Sequence, residues 1–143
     1  MIKKKKVLFL CTENSCRSQM AEGLLRYFGG DYFEIFSAGI EPASEVNPFA
    51  VEVMKEIGID ISRQYPKHIK EFLNQNIDYV ITTCDNAQRS CPIFPGNTIN
   101  IHWRLNDPAE AVGTKEERLK VFRNTRDLIY KKIQEFLKLI VPH

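Results

Sequence analysis

Apolar positions along the chain alternate between two spacings. Val7-Leu8-Phe9-Leu10 is a short unbroken apolar run, the pattern of a strand buried on both faces. Met20, Leu24 and Phe28 then recur at helical spacing, and Gly29-Gly30 predict a left-handed stop. Phe33 and Ile35, flanked by Tyr32 and Phe36, predict a second strand ending at Ser37-Ala38-Gly39. Asn47-Pro48 is a helix start, a side-chain cap followed by a proline suited to the first turn. Ala50, Val53, Met54 and Ile57 share the face of that helix, which Gly58 should end. A weaker helical stretch, Ile69 to Leu73, precedes a strand at Tyr79 to Thr82, and Thr98 to His102 predicts a fourth strand. Thr114-Lys115-Glu116-Glu117 reads as a capping box. Leu119, Phe122, Ile129, Ile133, Phe136 and Ile140 then line one side of a long last helix.

Strands alternating with helices argue for crossover connections and a parallel sheet. The expected fold is α/β: an open four-stranded parallel sheet with helices on both faces, forming a single domain over residues 1–143. A hydrophobic share of 43% and a charged share of 27% belong to an ordinary folded chain, not to a disordered or fibrous one. The net charge of +2 draws on Lys3 to Lys6, a basic start with no aromatic interleaving and no second basic face, so neither nucleic acid nor membrane is expected as a partner. The apolar run after those lysines is too short for an export signal, which predicts a cytoplasmic location. In that reducing compartment Cys11, Cys16, Cys84 and Cys91 are expected to serve catalysis, redox chemistry or metal binding, not structural disulfides.

The chemistry is concentrated in Cys11-Thr12-Glu13-Asn14-Ser15-Cys16-Arg17-Ser18, which joins the first strand to the first helix. Backbone N–H groups in such a turn, backed by a helix N-terminus, attract a tetrahedral anion and favour thiolate at Cys11. Arg17 can offer its planar fork to two oxygens of that anion. In open α/β sheets ligands bind beyond the carboxyl ends of the strands. Cys11, Cys84 and Asp107 follow the first, third and fourth strands and so converge on one edge.

These residues resemble the low-molecular-weight tyrosine phosphatase fold, and more closely its thioredoxin-coupled arsenate reductase branch. The likeness runs through Cys11 to Gly23, Ser37-Ala38-Gly39, Asn47-Pro48, Asp60-Ile61-Ser62, Cys84 to Cys91 with Pro92 and Pro95, His102-Trp103 and Asp107-Pro108-Ala109. The first loop is shared with the phosphatases, and the pair Cys84 and Cys91 separates the branches. The resemblance implies arsenate as substrate, phosphate or sulfate as competing anions, no bound cofactor and thioredoxin as electron donor to a monomer. It implies that Cys11 attacks arsenic while Asp107 protonates the departing oxygen. A disulfide would then pass from Cys11-Cys84 to Cys84-Cys91. Thr12, Glu13, Asn14, Ser15, Cys16, Arg17 and Ser18 would form the substrate loop.

Six residues separate Cys84 from Cys91. Wound as a helix they would hold the two about 10 Å apart at ~1.5 Å per residue, whereas bridged Cα atoms stand about 4.4 to 6.8 Å apart. The segment should therefore unwind on oxidation. Glu13 stands where the branch often has glycine and is expected to point to solvent. Some relatives bind potassium through residues matching Asn14, Glu22 and Ser37. Their remaining carboxylate aligns with Lys67 here, whose ammonium is expected to stand in for the cation. Cys16 should pack, and His68, His102 and His143 have no step in the scheme. Two other readings remain open: a tyrosine phosphatase using Cys11, Arg17 and Asp107, and a zinc-binding module built from the four cysteines.

Overall fold

The run Val7 to Leu10 lies at the centre of the protein because its strand has neighbours along both edges and covered faces on both sides. The computed structural model describes residues 3–141, so the reading of His143 falls outside the described residues. Strands β1 (Lys5–Cys11), β2 (Phe33–Gly39), β3 (Tyr79–Thr82) and β4 (Ile99–His102) form one parallel sheet in the order β2-β1-β3-β4. Helices α1 (Arg17–Gly29), α2 (Pro48–Lys55) and α4 (Lys115–Ile140) enclose Val7 and Phe9 on one face. Leu8 and Leu10 face the other way, against the 3-10 turn Ile69–Phe72 and Ala87 of the short helix α3 (Asp85–Arg89).

Local chemistry sets the helix starts. Asn47 Oδ1 accepts from Phe49 N at 2.9 Å, and Thr114 and Glu117 close the reciprocal box at the start of α4. His68 Nδ1 caps the 3-10 turn by accepting from Lys70 N at 3.0 Å, a structural role for that ring.

Three local expectations need correction. Gly29 is the last residue of α1 and Gly30 follows it with φ −60°, so this pair makes no left-handed stop. The left-handed glycines among the described residues are Gly58, Gly96 and Gly113. Second, α2 ends at Lys55, which leaves Ile57 beyond it and 38% exposed instead of on the packed face. Third, β4 is an edge strand starting at Ile99, because Thr98 turns its hydroxyl to Ile77 O at 2.7 Å.

The register fixes what reaches the carboxyl edge. Leu10 pairs with Thr82, and Thr83 N donates to Leu10 O at 2.8 Å, so Cys84 emerges beside Cys11. The helices that follow β1 and β3 lie on opposite faces, which opens a crevice between the two strand ends. Among the described residues no helix is long and apolar enough to cross a membrane.

Candidate active site

From Cys11 to Cys16 every backbone carbonyl of the loop has a donor. Cys11 O accepts from Ile40 N at 3.3 Å, Thr12 O from Glu41 N at 2.8 Å, and Glu13 O from Ala43 N at 2.9 Å. Asn14 O takes Gln19 Nε2 at 3.0 Å, Ser15 O takes Asn47 N at 2.9 Å, and Cys16 O takes Met20 N at 2.9 Å in the first turn of α1. The chain leaving β2 thus fastens along the outside of the loop and engages its acceptors, leaving the N–H groups as the polar set available to an anion. Gly39 makes this approach possible, since a Cβ there would stand 2.7 Å from Thr12 O. Asn14 is the single non-glycine residue among those described with positive φ, 53°, a conformation asparagine tolerates better than most residues. Its side chain is buried, donating to Ser18 Oγ at 2.7 Å and accepting from Lys67 N at 2.9 Å. Asn14 and Ser18 therefore brace the loop from within. The Ser18 hydroxyl keeps its own hydrogen to donate.

The loop borders a cleft of about 420 Å³ whose walls include Cys11, Ser15, Arg17, Cys84 and Asp107. Arg17 is buried, with Nη1 donating to Leu105 O at 2.9 Å and Nη2 3.8 Å from Asp107 Oδ2. Its Nε is buried without a hydrogen-bond partner, an open donor beside the anion loop. Asp107 is held by the turn it caps, Oδ1 accepting from Ala109 N at 2.9 Å, while its other oxygen stays near the arginine. Glu13 is exposed, as expected of a carboxylate beside an anion cradle.

Cys11 and Cys84 titrate as a coupled pair, since a charge on one buried sulfur disfavours a charge on the other. The Cys84 thiol is pulled down to about 5, chiefly by the hydrogen bond from Cys11, with help from the Thr12 hydroxyl and the Ala87 N–H. Those two partners lie 3.3 Å and 3.4 Å from Cys84 Sγ. Thr12 Oγ1 accepts from Asn86 Nδ2 at 3.1 Å, which frees its hydrogen for Cys84. Cys11 is pushed up, first by its bond to Cys84 and then by burial, against the pull of Arg17. The Thr12 hydroxyl and the Ala87 N–H favour thiolate at Cys84, as the Arg17 guanidinium favours it at Cys11, so both sulfurs of the pair have partners that support a negative charge. Cys16 is pushed up to about 12, mainly by burial in the α1 core, which suits a packing role. Cys91 is half-buried just beyond α3, and burial raises its thiol as well.

Lys67 lies beside the site. Its Nζ stands 3.9 Å from Glu22 Oε1 and donates to Tyr65 O at 2.9 Å, while Ser37 Oγ donates to the same Glu22 oxygen at 2.5 Å. Burial lowers the Lys67 ammonium's pKa and Glu22 opposes that effect. An ammonium beside Glu22 does not fit a bound potassium ion, because the two cations would repel. Turnover is expected to be equal in potassium and sodium at matched ionic strength. Lys67→Met should lower stability by about 1–3 kcal/mol by removing a partner of buried Glu22, measurable by urea denaturation. The four cysteines do not form a metal cluster: among the described residues no group of three or more His, Cys, Asp or Glu side chains could hold a metal ion.

Sequence reading did not find the outer fastening of the loop, the Gln19 and Gln64 amides bonded at 2.8 Å behind it, or the contact of His102 with Asp85. The buried glutamine in the first turn of α1 was the available signal for the second of these.

A strand, an anion-cradling loop with its sulfur, an arginine and a carboxylate define a class. Residues 6–141 match the low molecular weight phosphotyrosine protein phosphatases, and the chain belongs to that family. Within it, the chain is similar to proteins named for another reaction. It is 53% identical to an arsenate reductase of Halalkalibacterium halodurans over 133 residues, covering 93% of this chain and 95% of the relative. A solved arsenate reductase in a phosphate-binding state superposes with a TM-score of 0.76 at 34% identity, covering 95% of this chain and 98% of the other. A thioredoxin-dependent arsenate reductase of Corynebacterium glutamicum gives a TM-score of 0.64 at 34% identity, covering 93% of this chain and 63% of that one.

Proposed function

We propose that this protein is an arsenate reductase working through a relay of Cys11, Cys84 and Cys91 that thioredoxin resets. The observation that carries the reading is Cys84 poised against Cys11 at the mouth of an anion loop. Ester hydrolysis has no use for a second sulfur there.

Arsenate enters the cradle and takes the open donor of Arg17. Cys11 attacks arsenic as the thiolate, while Asp107 protonates the departing oxygen, which leaves as water. Cys84, its thiolate favoured by Thr12 and the Ala87 N–H, then attacks the Cys11 sulfur. The sulfur–arsenic bond breaks with its electron pair on arsenic, which falls from the +5 to the +3 state and departs as arsenite. The two sulfurs have supplied the two electrons as the Cys11-Cys84 disulfide. Cys91 then attacks Cys84, Cys11 leaves as thiolate, and a dithiol on thioredoxin reduces Cys84-Cys91.

The test is arsenate-dependent NADPH oxidation with thioredoxin and thioredoxin reductase, each component omitted in turn. Turnover requiring the protein, arsenate and thioredoxin together is expected. Its absence with fully reduced cysteines would remove the reductase reading and leave hydrolysis of aryl phosphates as the activity of the loop.

A further inference from the structure

His102 ends β4 and has no step in the relay, yet both of its ring nitrogens are engaged. Nδ1 lies 2.7 Å from Thr82 Oγ1, and Nε2 lies 3.1 Å from Asp85 Oδ1. A carboxylate only accepts, so Nε2 carries hydrogen and donates to it. Asp85 is the first residue of α3 and the neighbour of Cys84, so the contact ties the start of α3 to the sheet edge. Arg104 Nη2, 3.7 Å from the other oxygen of Asp85, adds a weaker attraction from solvent.

With five residues, α3 is far too short to hold itself wound. Its ties are the Ala87 N–H on Cys84, the burial of Ala87, the Asn86 amide on Thr12 Oγ1, the His102 grip on Asp85 and the weaker pull of Arg104 on the same carboxylate. The second exchange requires the opposite state. Cys84 caps the front of α3 and Cys91 lies beyond Ser90 at its back, so the turn must open before the two sulfurs can bond. In that step the Cys84-Cys91 bond forms, the Cys11-Cys84 bond breaks, and the electron pair leaves on Cys11.

We propose that His102 is a positioning residue for this second exchange: through Asp85 it keeps α3 wound, and its grip must be released for Cys84-Cys91 to form, whereas the β1–β3 register holds Cys84 beside Cys11. The proposal rests on the relay reading. Because the tie belongs to the dithiol form, cutting it favours the disulfide.

The measurement is a redox titration of the full chain in dithiothreitol buffers, with disulfides assigned by differential alkylation and peptide mapping. A parallel rapid-quench assay follows arsenite from reduced protein. His102→Ala should shift the Cys84-Cys91 equilibrium about fivefold toward disulfide, about 20 mV for a two-electron couple, and release arsenite at the wild-type rate. His102→Gln, with an N–H able to reach Asp85, should return part of the shift. Asp85→Ala should reproduce it in the titration, and adding His102→Ala to Asp85→Ala should add little. An unchanged equilibrium in both single variants, or a shift toward dithiol, would overturn the proposal. The titration needs no arsenate. Failure of the reductase reading would therefore appear as missing arsenite with the shift intact, and failure of the tie as an unshifted titration with arsenite intact.

Discussion

Cys91→Ser protein, given arsenate and the complete thioredoxin system, should release a single arsenite per chain and then stop. Cys11 and Cys84 lie together and are both buried, so the disulfide they form offers no sulfur to an incoming protein thiol. Cys91 is half-buried and lines a cleft open to the surface. Without it the oxidised bond has no route outward. Cys84→Ser should release no arsenite, because nothing displaces arsenic from Cys11. It should still hydrolyse an aryl phosphate, since Cys11, Arg17 and Asp107 remain. Rapid-quench arsenic speciation distinguishes the variants. Sustained turnover by Cys91→Ser would show that Cys91 is dispensable and that the reductant reads the inner disulfide directly.

Arg17→Lys should lower kcat/KM for arsenate by about 10²- to 10³-fold, the usual loss when a preorganised oxyanion donor is removed. Lysine keeps the charge but not the geometry. The guanidinium here bonds Leu105 O with one nitrogen, lies near Asp107 with a second and leaves Nε open. A single ammonium cannot hold the loop to the Asp107 segment and also present a donor to the anion. The same fall is expected with an aryl phosphate, because both substrates use the cradle. Steady-state kinetics on the folded variant would measure it, and a loss under tenfold for both would remove Arg17 from anion binding.

The first strand, the loop and the start of α1 were legible because each follows from local rules: an apolar run, a turn and helical spacing in immediate succession. Asn47 and Thr114 were legible for the same reason, since a cap is complete within four residues. Strand boundaries were less so. β1 begins at Lys5, not Val7, because pairing of Lys5 and Lys6 with Phe33 and Glu34 continues under side chains whose polarity conceals a strand. The end of α1 was misread because glycine permits a left-handed stop without requiring one. The convergence of Cys11, Cys84 and Asp107 could be inferred from strand ends alone. The partners of the Cys84 sulfur could not. Thr12 and Ala87 meet there, with Asn86 bonded to Thr12 behind them, a placement that sequence separation hides. Lys67 beside Glu22 came from resemblance, and the geometry supplies its reason.

The loop whose carbonyls are all engaged, four by the chain after β2 and two by the first turn of α1, is held in shape before any anion arrives. Binding therefore spends little entropy on ordering it, and the cradle measures size and charge with great economy. Phosphate and arsenate are close in both. Under the proposed relay a preformed cradle of this kind admits either ion and leaves the choice to what happens next: phosphate departs unchanged, while arsenate is consumed by sulfur. Discrimination then lies in the order of events after entry, so the protein in a phosphate-rich medium should be slowed by competition while still committing its thiols to arsenic alone.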